Sequence, residues 1–250
     1  MMRNFIYRNH TLKVFGEKYF YKIGISGFGK KLVQLESTNY GQLAKVEAVS
    51  SYVPQTELKK GSLYSSMKIE SLNPLDREVD SELGSILSKF REAAREVKFT
   101  EFANKYSDFQ CYKKLSDFLG DYSEDSLLVG PSHGDLHDEN LMTDSAGSTK
   151  FIDTDMFSPL RDCYFDLINI FVSRAILNKL VTWDQAILDA WNLESELAKI
   201  DSSWDNLDSR KKYFHFALYI LERFENEYFY NEKLVFPKSL SDWLAAARPQ

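Results

Sequence analysis

Two short segments hold the chain's most concentrated set of chemically useful side chains: Ser132-His133-Gly134-Asp135-Leu136-His137-Asp138-Glu139-Asn140 and Phe151-Ile152-Asp153-Thr154-Asp155. Asp135, Asn140 and Asp153 offer oxygen acceptors suited to a hard cation or to a hydroxyl proton. The turn-rich stretch Thr143-Asp144-Ser145-Ala146-Gly147-Ser148-Thr149 lies between the two segments and predicts a hairpin that folds one back on the other. An Asp, an Asn five positions later and a second Asp soon after is the set that phosphoryl transfer asks for. One carboxylate receives the acceptor's proton, while an amide and another carboxylate hold magnesium.

Other chemistries share some of these residues. His133, Asp135 and His137 at alternate positions also suit a hydrolytic metal centre. Gly24-Ile-Ser-Gly-Phe-Gly29-Lys30-Lys31 sits between a β-prone run and a helical one, as a phosphate-binding loop would, but it ends in Lys31 rather than the Ser or Thr that ligates magnesium. Asp201, Asp205 and Asp208 read either as a solvated acidic face or as an attraction for a cationic substrate. The aromatic residues Trp183, Trp191, Trp204, Tyr213, Tyr228, Tyr230 and Trp243 read as core, with stacking on a sugar ring or quaternary ammonium as the sharper option.

The bulk properties frame these options. The 250 residues are 44% hydrophobic and 27% charged, enough for a real core and not the composition of a disordered chain. A net charge of −6 argues against nucleic acid as the main partner and supplies no polybasic membrane anchor. Cys111 and Cys163 have no metal-ligand spacing and read as reduced thiols. The apolar run Leu167 to Val172 is interrupted by Asn169 and is too short to span a bilayer, and no basic-then-apolar leader is seen, so the expected location is the cytoplasm.

Phe5–Tyr7, Leu12–Phe15 and Tyr19–Ile23 are short β-prone runs separated by turn residues, and predict an antiparallel sheet. Leu32, Leu35, Tyr40, Leu43 and Val46 then mark a helix that carries Glu36. Strands are expected again at Val49–Val53 and Leu63–Ile69, followed by a linker at Ser71–Pro74. From Asp76 the period becomes helical, with Val79, Leu83, Ile86, Leu87, Phe90, Ala94 and Val97 in one helix and Phe102 to Leu119 in a second. After Asp155 the pattern predicts helices to the end. The expected architecture is α+β, with a β-rich lobe over residues 1–72 and a larger, mostly helical lobe over 73–250.

His133-Gly134-Asp135-Leu136-His137 with Asn140, then Ile152-Asp153-x-Asp155, then Asp162-Cys163-Tyr164-Phe165-Asp166-Leu167, resembles the aminoglycoside phosphotransferase and choline kinase family, which has a two-lobed protein-kinase-like fold. The resemblance implies that Asp135 orients and deprotonates an acceptor hydroxyl. It implies Asn140 and Asp153 as magnesium ligands, with Asp155 as a further metal contact. His133, His137 and the buried Asp166 are implied to support the His-Gly-Asp turn. Lys22, positioned by Glu36, would grip the phosphates of ATP or GTP, with Lys30 or Lys31 as alternatives for that role, and the backbone around Glu70 and Leu72 would meet the base. The implied partners are a nucleoside triphosphate with Mg2+ and a small hydroxyl-bearing molecule: a sugar, a glycan intermediate, an aminoglycoside or an amino alcohol. Two departures stand out. Asp138-Glu139 precede Asn140 where the family often has Pro-Gly, and the turn Arg8-Asn9-His10-Thr11 has no glycine to let backbone approach phosphate. The second departure leaves open a kinase-shaped module that holds a nucleotide without turnover.

Overall fold

The structure is a computed structural model that describes residues 4–8, 10–16, 19–75, 78–103, 105, 122, 125–230 and 235–246. Its elements in chain order are β1 (Asn4–Arg8), β2 (Thr11–Phe15), β3 (Tyr19–Gly24), α1 (Gly27–Leu43), β4 (Thr56–Lys60), β5 (Ser65–Glu70), β6 (Asn73–Pro74), α2 (Val79–Glu92), β7 (Arg95–Lys98), α3 (Phe99–Ala103), β8 (Ser126–Ser132), β9 (Leu141–Thr143), β10 (Thr149–Phe151), β11 (Ser158–Asp162), α4 (Phe165–Lys179), α5 (Trp183–Asn192), α6 (Glu194–Ile200), α7 (Ser209–Tyr230) and α8 (Lys238–Ala246). The chain folds as two compact units, each made of two segments. One contains Met1–Val79 with His133–Pro159, the other Asp80–Ser132 with Leu160–Gln250. A single cut after residue 72 does not describe this division. The hairpin β9–β10 is held by β6, through the pairs Asn73↔Thr143 and Pro74↔Met142, and so joins the N-terminal sheet's unit.

In the first unit, five antiparallel strands run in the order β1-β2-β3-β5-β4. Alternation places Met67 and Ile69 of β5 on the face that meets α1, and both are fully buried against Val33 and Tyr40 of the helix. Helix α1 starts where Ser26 caps it, its hydroxyl accepting the Gly29 amide at 2.9 Å. Leu35 does not share the buried stripe and is 40% exposed, because Glu36 and Asn39 point inward with Leu32, Tyr40 and Leu43. The strand expected at Val49–Val53 is instead a 3-10 helix over Glu47–Tyr52. A spacing of three turns Val49 and Tyr52 inward together, which alternation would not. The strand expected at Leu63–Ile69 begins at Ser65 as β5, and it pairs with β4 (Thr56–Lys60), a strand the periodicity does not predict.

The second unit holds a three-stranded sheet, β11-β8-β7, and the helices. Helix α2 stops at Glu92, so Ala94 and Val97 are not helical. Val97 pairs with Leu127 in the β7–β8 ladder, and Gly130 gives room for Ala94, whose Cβ lies 2.8 Å from where a side chain on Gly130 would begin. The chain after Asp155 is not helical throughout, because β11 intervenes before α4. Most of the helix expected over Phe102–Leu119 lies outside the described residues, as do Cys111 and the side chains of Tyr228 and Tyr230. Trp204 and Tyr213 are fully buried, and Trp191 meets Phe216 and Trp243 edge-on at 5.1 and 5.2 Å, so these aromatic residues form core. Asp201 is also internal. It is 7% exposed, pairs with Arg91 and caps the turn at Ser203.

Candidate active site

The charged centre of the first unit is assembled by the sheet and α1. On β3, Phe20, Lys22 and Gly24 share a face, and Lys22 lies under the helix with 7% exposure. Its ammonium is 2.5 Å from Glu36 Oε2 and 3.1 Å from Asp153 Oδ1. Glu36 is 1% exposed. Burial pushes its carboxyl up to about 7 against the pull of Lys22. Burial also disfavours charge on Lys22, but Glu36, Asp153 and Asp155 outweigh it and hold the ammonium above its usual range. At Asp153 burial is likewise outweighed, by Lys22 and Lys13, and the carboxyl is held well below the ordinary carboxylate range.

Lys13 was not among the residues singled out from the sequence. It stands directly across from Lys22 on the neighbouring strand, and its ammonium takes both Asp153 oxygens, at 2.7 and 3.0 Å. A lone lysine on an interior strand has no sequence signal of its own; only the register Lys13↔Lys22 reveals it. Asn39, one helical turn after Glu36, was also missed. Its buried amide donates to the Thr154 carbonyl at 2.7 Å and reaches that of Asp155 at 3.4 Å, tying the helix to the segment that carries Asp153. Asp153 itself adopts the left-handed conformation (φ 56°, ψ 56°), which an aspartate tolerates better than most side chains.

The loop from His133 to Asn140 is set by its own hydrogen bonds. His133 is completely buried; its Nε2–H donates to the Ile152 carbonyl at 3.1 Å, and its Nδ1 accepts the Asp135 amide at 3.3 Å. That fixes one tautomer and leaves neither ring nitrogen for a metal, which removes His133 from a hydrolytic centre. His137 Nδ1 accepts the Glu139 amide at 3.3 Å, and its Nε2 lies 3.8 Å from Asp135 Oδ2. Gly134 has φ 87°, the left-handed region that favours glycine, and it turns the chain so that Asp135 follows half-buried. Asn140 Nδ2 donates to the Asp135 carbonyl at 2.7 Å and lies 3.4 Å from its carboxylate, which orients the amide oxygen as the group left to act. The Asn140 carbonyl accepts the Ile152 amide at 3.1 Å, so the Asp135–Asn140 loop and the Asp153 segment are held side by side. The hairpin between them is closed by Asp144, whose carboxylate accepts the Ala146 and Ser148 amides, both at 2.9 Å.

Glu70 ends β5 and accepts the Gln55 amide at 3.0 Å, and Leu72 follows half-buried in the link to β6. Asp166 is 3% exposed in the first turn of α4, in the second unit. Nearby in that unit Asp162 accepts from His215 Nδ1 at 2.9 Å, a buried pair that neither residue's sequence context announces. The Gly24–Lys31 segment is no phosphate cradle. Its Gly29 backbone is packed so closely on the His10 carbonyl that a Cβ there would fall 2.1 Å from the oxygen. Among the described residues, no group of three His, Cys, Asp or Glu side chains gathers as a metal site. Asn140 and Asp153 could offer one amide and one carboxylate to a cation, a sparse set that would suit Mg2+ only if other oxygens completed its shell.

No protein-family model matches this chain, and no curated protein matches it in sequence. Solved structures do match in three dimensions. A protein assigned as a fructosamine-3-kinase from Haemophilus somnus 129PT superposes with a TM-score of 0.55 at 13% identity, covering 99% of this chain and 92% of its own. Aminoglycoside phosphotransferase APH(4)-Ia superposes with a TM-score of 0.51 at 13% identity, covering 95% and 86%. The chain has the protein-kinase-like fold. The α+β expectation, with an N-terminal antiparallel sheet followed by a helical C-terminal part, is met by the elements and by these superpositions.

Proposed function

We propose that this protein is a Mg2+-dependent phosphotransferase that moves the terminal phosphate of ATP or GTP to a hydroxyl group of a small molecule, in the class of sugars, glycan intermediates, aminoglycosides and amino alcohols. The observation that carries this reading is the charge set of buried Lys22 and Glu36 with half-buried Asp153, hydrogen-bonded through Ile152 to the loop that holds Asp135 and Asn140. The fold of small-molecule kinases supports it.

In this reading Lys22, kept charged and aimed by Glu36, binds the phosphates of the donor. Asp135 accepts the hydrogen bond of the attacking hydroxyl and takes its proton. Asn140 and Asp153, with Asp155 beside them, would hold Mg2+, which when bound supplies charge neutralisation for the phosphates among these carboxylates. His133 fixes the loop by bridging Asp135 and Ile152, His137 flanks the Asp135 carboxylate, and Asp166 is assigned to scaffold. The backbone at Glu70 and Leu72 would take the base. Most of the rate gain comes from orientation and electrostatics.

Phosphate transfer from ATP and GTP to a panel of alcohols tests this, with Asp135→Asn as the control. Loss of a general base lowers turnover by about 10²–10⁴-fold. Equal turnover by the two proteins removes Asp135 from the role. A second reading, a nucleotide-holding module without turnover, draws on the glycine-free sequence Arg8-Asn9-His10-Thr11, whose ends, Arg8 and Thr11, pair directly across β1 and β2. Mg2+-dependent nucleotide binding with no product from any acceptor would favour it.

A further inference from the structure

We infer that Lys13 is a second phosphate-binding lysine, which rests on Asp153 while the site is empty of nucleotide and transfers its ammonium to the phosphate oxygens when a nucleoside triphosphate enters. The inference rests on the nucleotide reading above and goes beyond it, since nothing in the motif set assigns a function to β2.

Three observations lead to it. First, Lys13 and Lys22 form a directly opposed cross-strand pair, so their side chains leave the same face of the sheet about 5 Å apart at their Cα atoms. Both ammonium groups converge on one carboxylate, Lys13 through both oxygens and Lys22 through one. Two lysines brought to one point form a binding element for an anion with more acceptor oxygens than a single carboxylate can offer.

Second, the usual backbone cover for phosphates has no room to form here. Arg8 of β1 pairs directly with Thr11 of β2, and between them His10 takes the left-handed conformation (φ 62°), with its ring edge-on to Phe28 at 5.3 Å and its carbonyl seated on Gly29. The turn is thereby pinned to the start of α1. Side-chain donors from the strand that follows must do what amides of a longer glycine-rich turn would do.

Third, the two lysines differ in how free they are to change partners. The Lys22 side chain is 8% exposed and is also held by Glu36, whereas that of Lys13 is 25% exposed and rests on Asp153. Lys13 occupies both oxygens of Asp153, the atoms that the function proposed above gives to Mg2+. Moving Lys13 to phosphate frees those oxygens at the moment the nucleotide arrives. Lys13 therefore serves binding in two ways: it competes for Asp153 when nucleotide is absent and adds charge-assisted hydrogen bonds when nucleotide is present.

These two effects have opposite signs, and that makes the test decisive. Calorimetric titration compares ATP, GTP, adenosine and guanosine, with Mg2+ present, on the native protein, Lys13→Met and Lys13→Arg. The dissociation constant of the preferred triphosphate should rise by about 10- to 100-fold in Lys13→Met, the range for a lost hydrogen bond to a charged group. The matching nucleoside should bind as before, and Lys13→Arg should recover most of the loss. Mn2+ titration without nucleotide, followed by the paramagnetic resonance of the free ion, should show about two- to fivefold tighter binding in Lys13→Met, as expected for removing a partly exposed competing ion pair. Unchanged triphosphate affinity overturns the inference, and so does an equal loss for triphosphate and nucleoside, which would mark Lys13 as structural. If the native protein binds neither triphosphate, the nucleotide reading itself falls and this inference with it. Native binding with an indifferent Lys13→Met sinks only the inference.

Discussion

Replacing Lys22 by Met removes the nearest positive charge from a carboxylate that is 1% exposed. In the native protein burial pushes Glu36 up to about 7, while Lys22 pulls it down. Without Lys22 the burial remains, as does repulsion from Asp153 and Asp155, so the carboxyl rises further; buried glutamates reach about 8–9. Because the folded value exceeds the unfolded one, Glu36's contribution to stability is complete below the unfolded pKa and is lost as pH rises toward the folded pKa. In the native protein that loss ends near 7. In the variant it continues to about 8–9, at about 1.36 kcal/mol per pH unit. Lys22's own raised value affects stability only in strongly alkaline solution, and Asp153's depressed one only in acid, so the window just above neutrality belongs to Glu36. Between about pH 7 and about pH 8.5 the variant should lose about 2 kcal/mol more than the native protein, a further drop in Tm of about 4–8 °C for a chain of this size. Thermal unfolding followed by circular dichroism at about pH 6, 7 and 8.5 measures the gap, and Lys22→Met/Glu36→Gln should abolish its pH dependence. A gap between native and Lys22→Met that is the same at all three pH values would refute the reasoning, because Glu36 would then not be the group left without a partner.

Two further outcomes follow from the same unit. Gly29→Ala places a Cβ 2.1 Å from the His10 carbonyl oxygen and should destabilise by about 1–3 kcal/mol in urea unfolding, as overpacking does; native stability would mean that the β1–β2 turn is not seated on α1. Asn39→Leu keeps the branched side-chain shape but removes the buried amide that donates to the Thr154 and Asp155 carbonyls. It should cost about 1–3 kcal/mol and lower turnover through the Asp153 segment, and an unaffected midpoint in urea would contradict the buried contact.

The proximity of Lys22 and Glu36 is legible because each comes from a strong local pattern, a β-prone run and a helical stripe, and because the packing of α1 on the sheet brings the two patterns together. The hairpin that carries Asp153 announces itself through Asp144 and Gly147, whose turn chemistry is local. Lys13 is hidden since its importance depends on the cross-strand register of β1, β2 and β3, which no periodicity encodes. Val49 and Tyr52 mislead because β-branched and aromatic residues favour strands, yet their spacing of three suits a 3-10 turn against Phe151, on which Tyr52 stacks at 5.3 Å. Val97 misleads in the opposite sense: it continues the helical period of α2, but long-range pairing with β8 claims it. The Asp162–His215 pair joins residues 53 apart, beyond any local signal.

The first unit is interrupted in sequence, and this has a consequence for its birth on the ribosome. Lys22 precedes its partner Asp153 by 131 residues, a delay of about 7–26 seconds at ordinary rates of elongation. During that interval the nascent sheet and α1 carry the Lys22–Glu36 couple without its third member, while the whole first segment of the other unit emerges between them. Native assembly of the charged centre is therefore a late event, and chaperone protection of the early sheet has its greatest value before residue 159 leaves the exit tunnel.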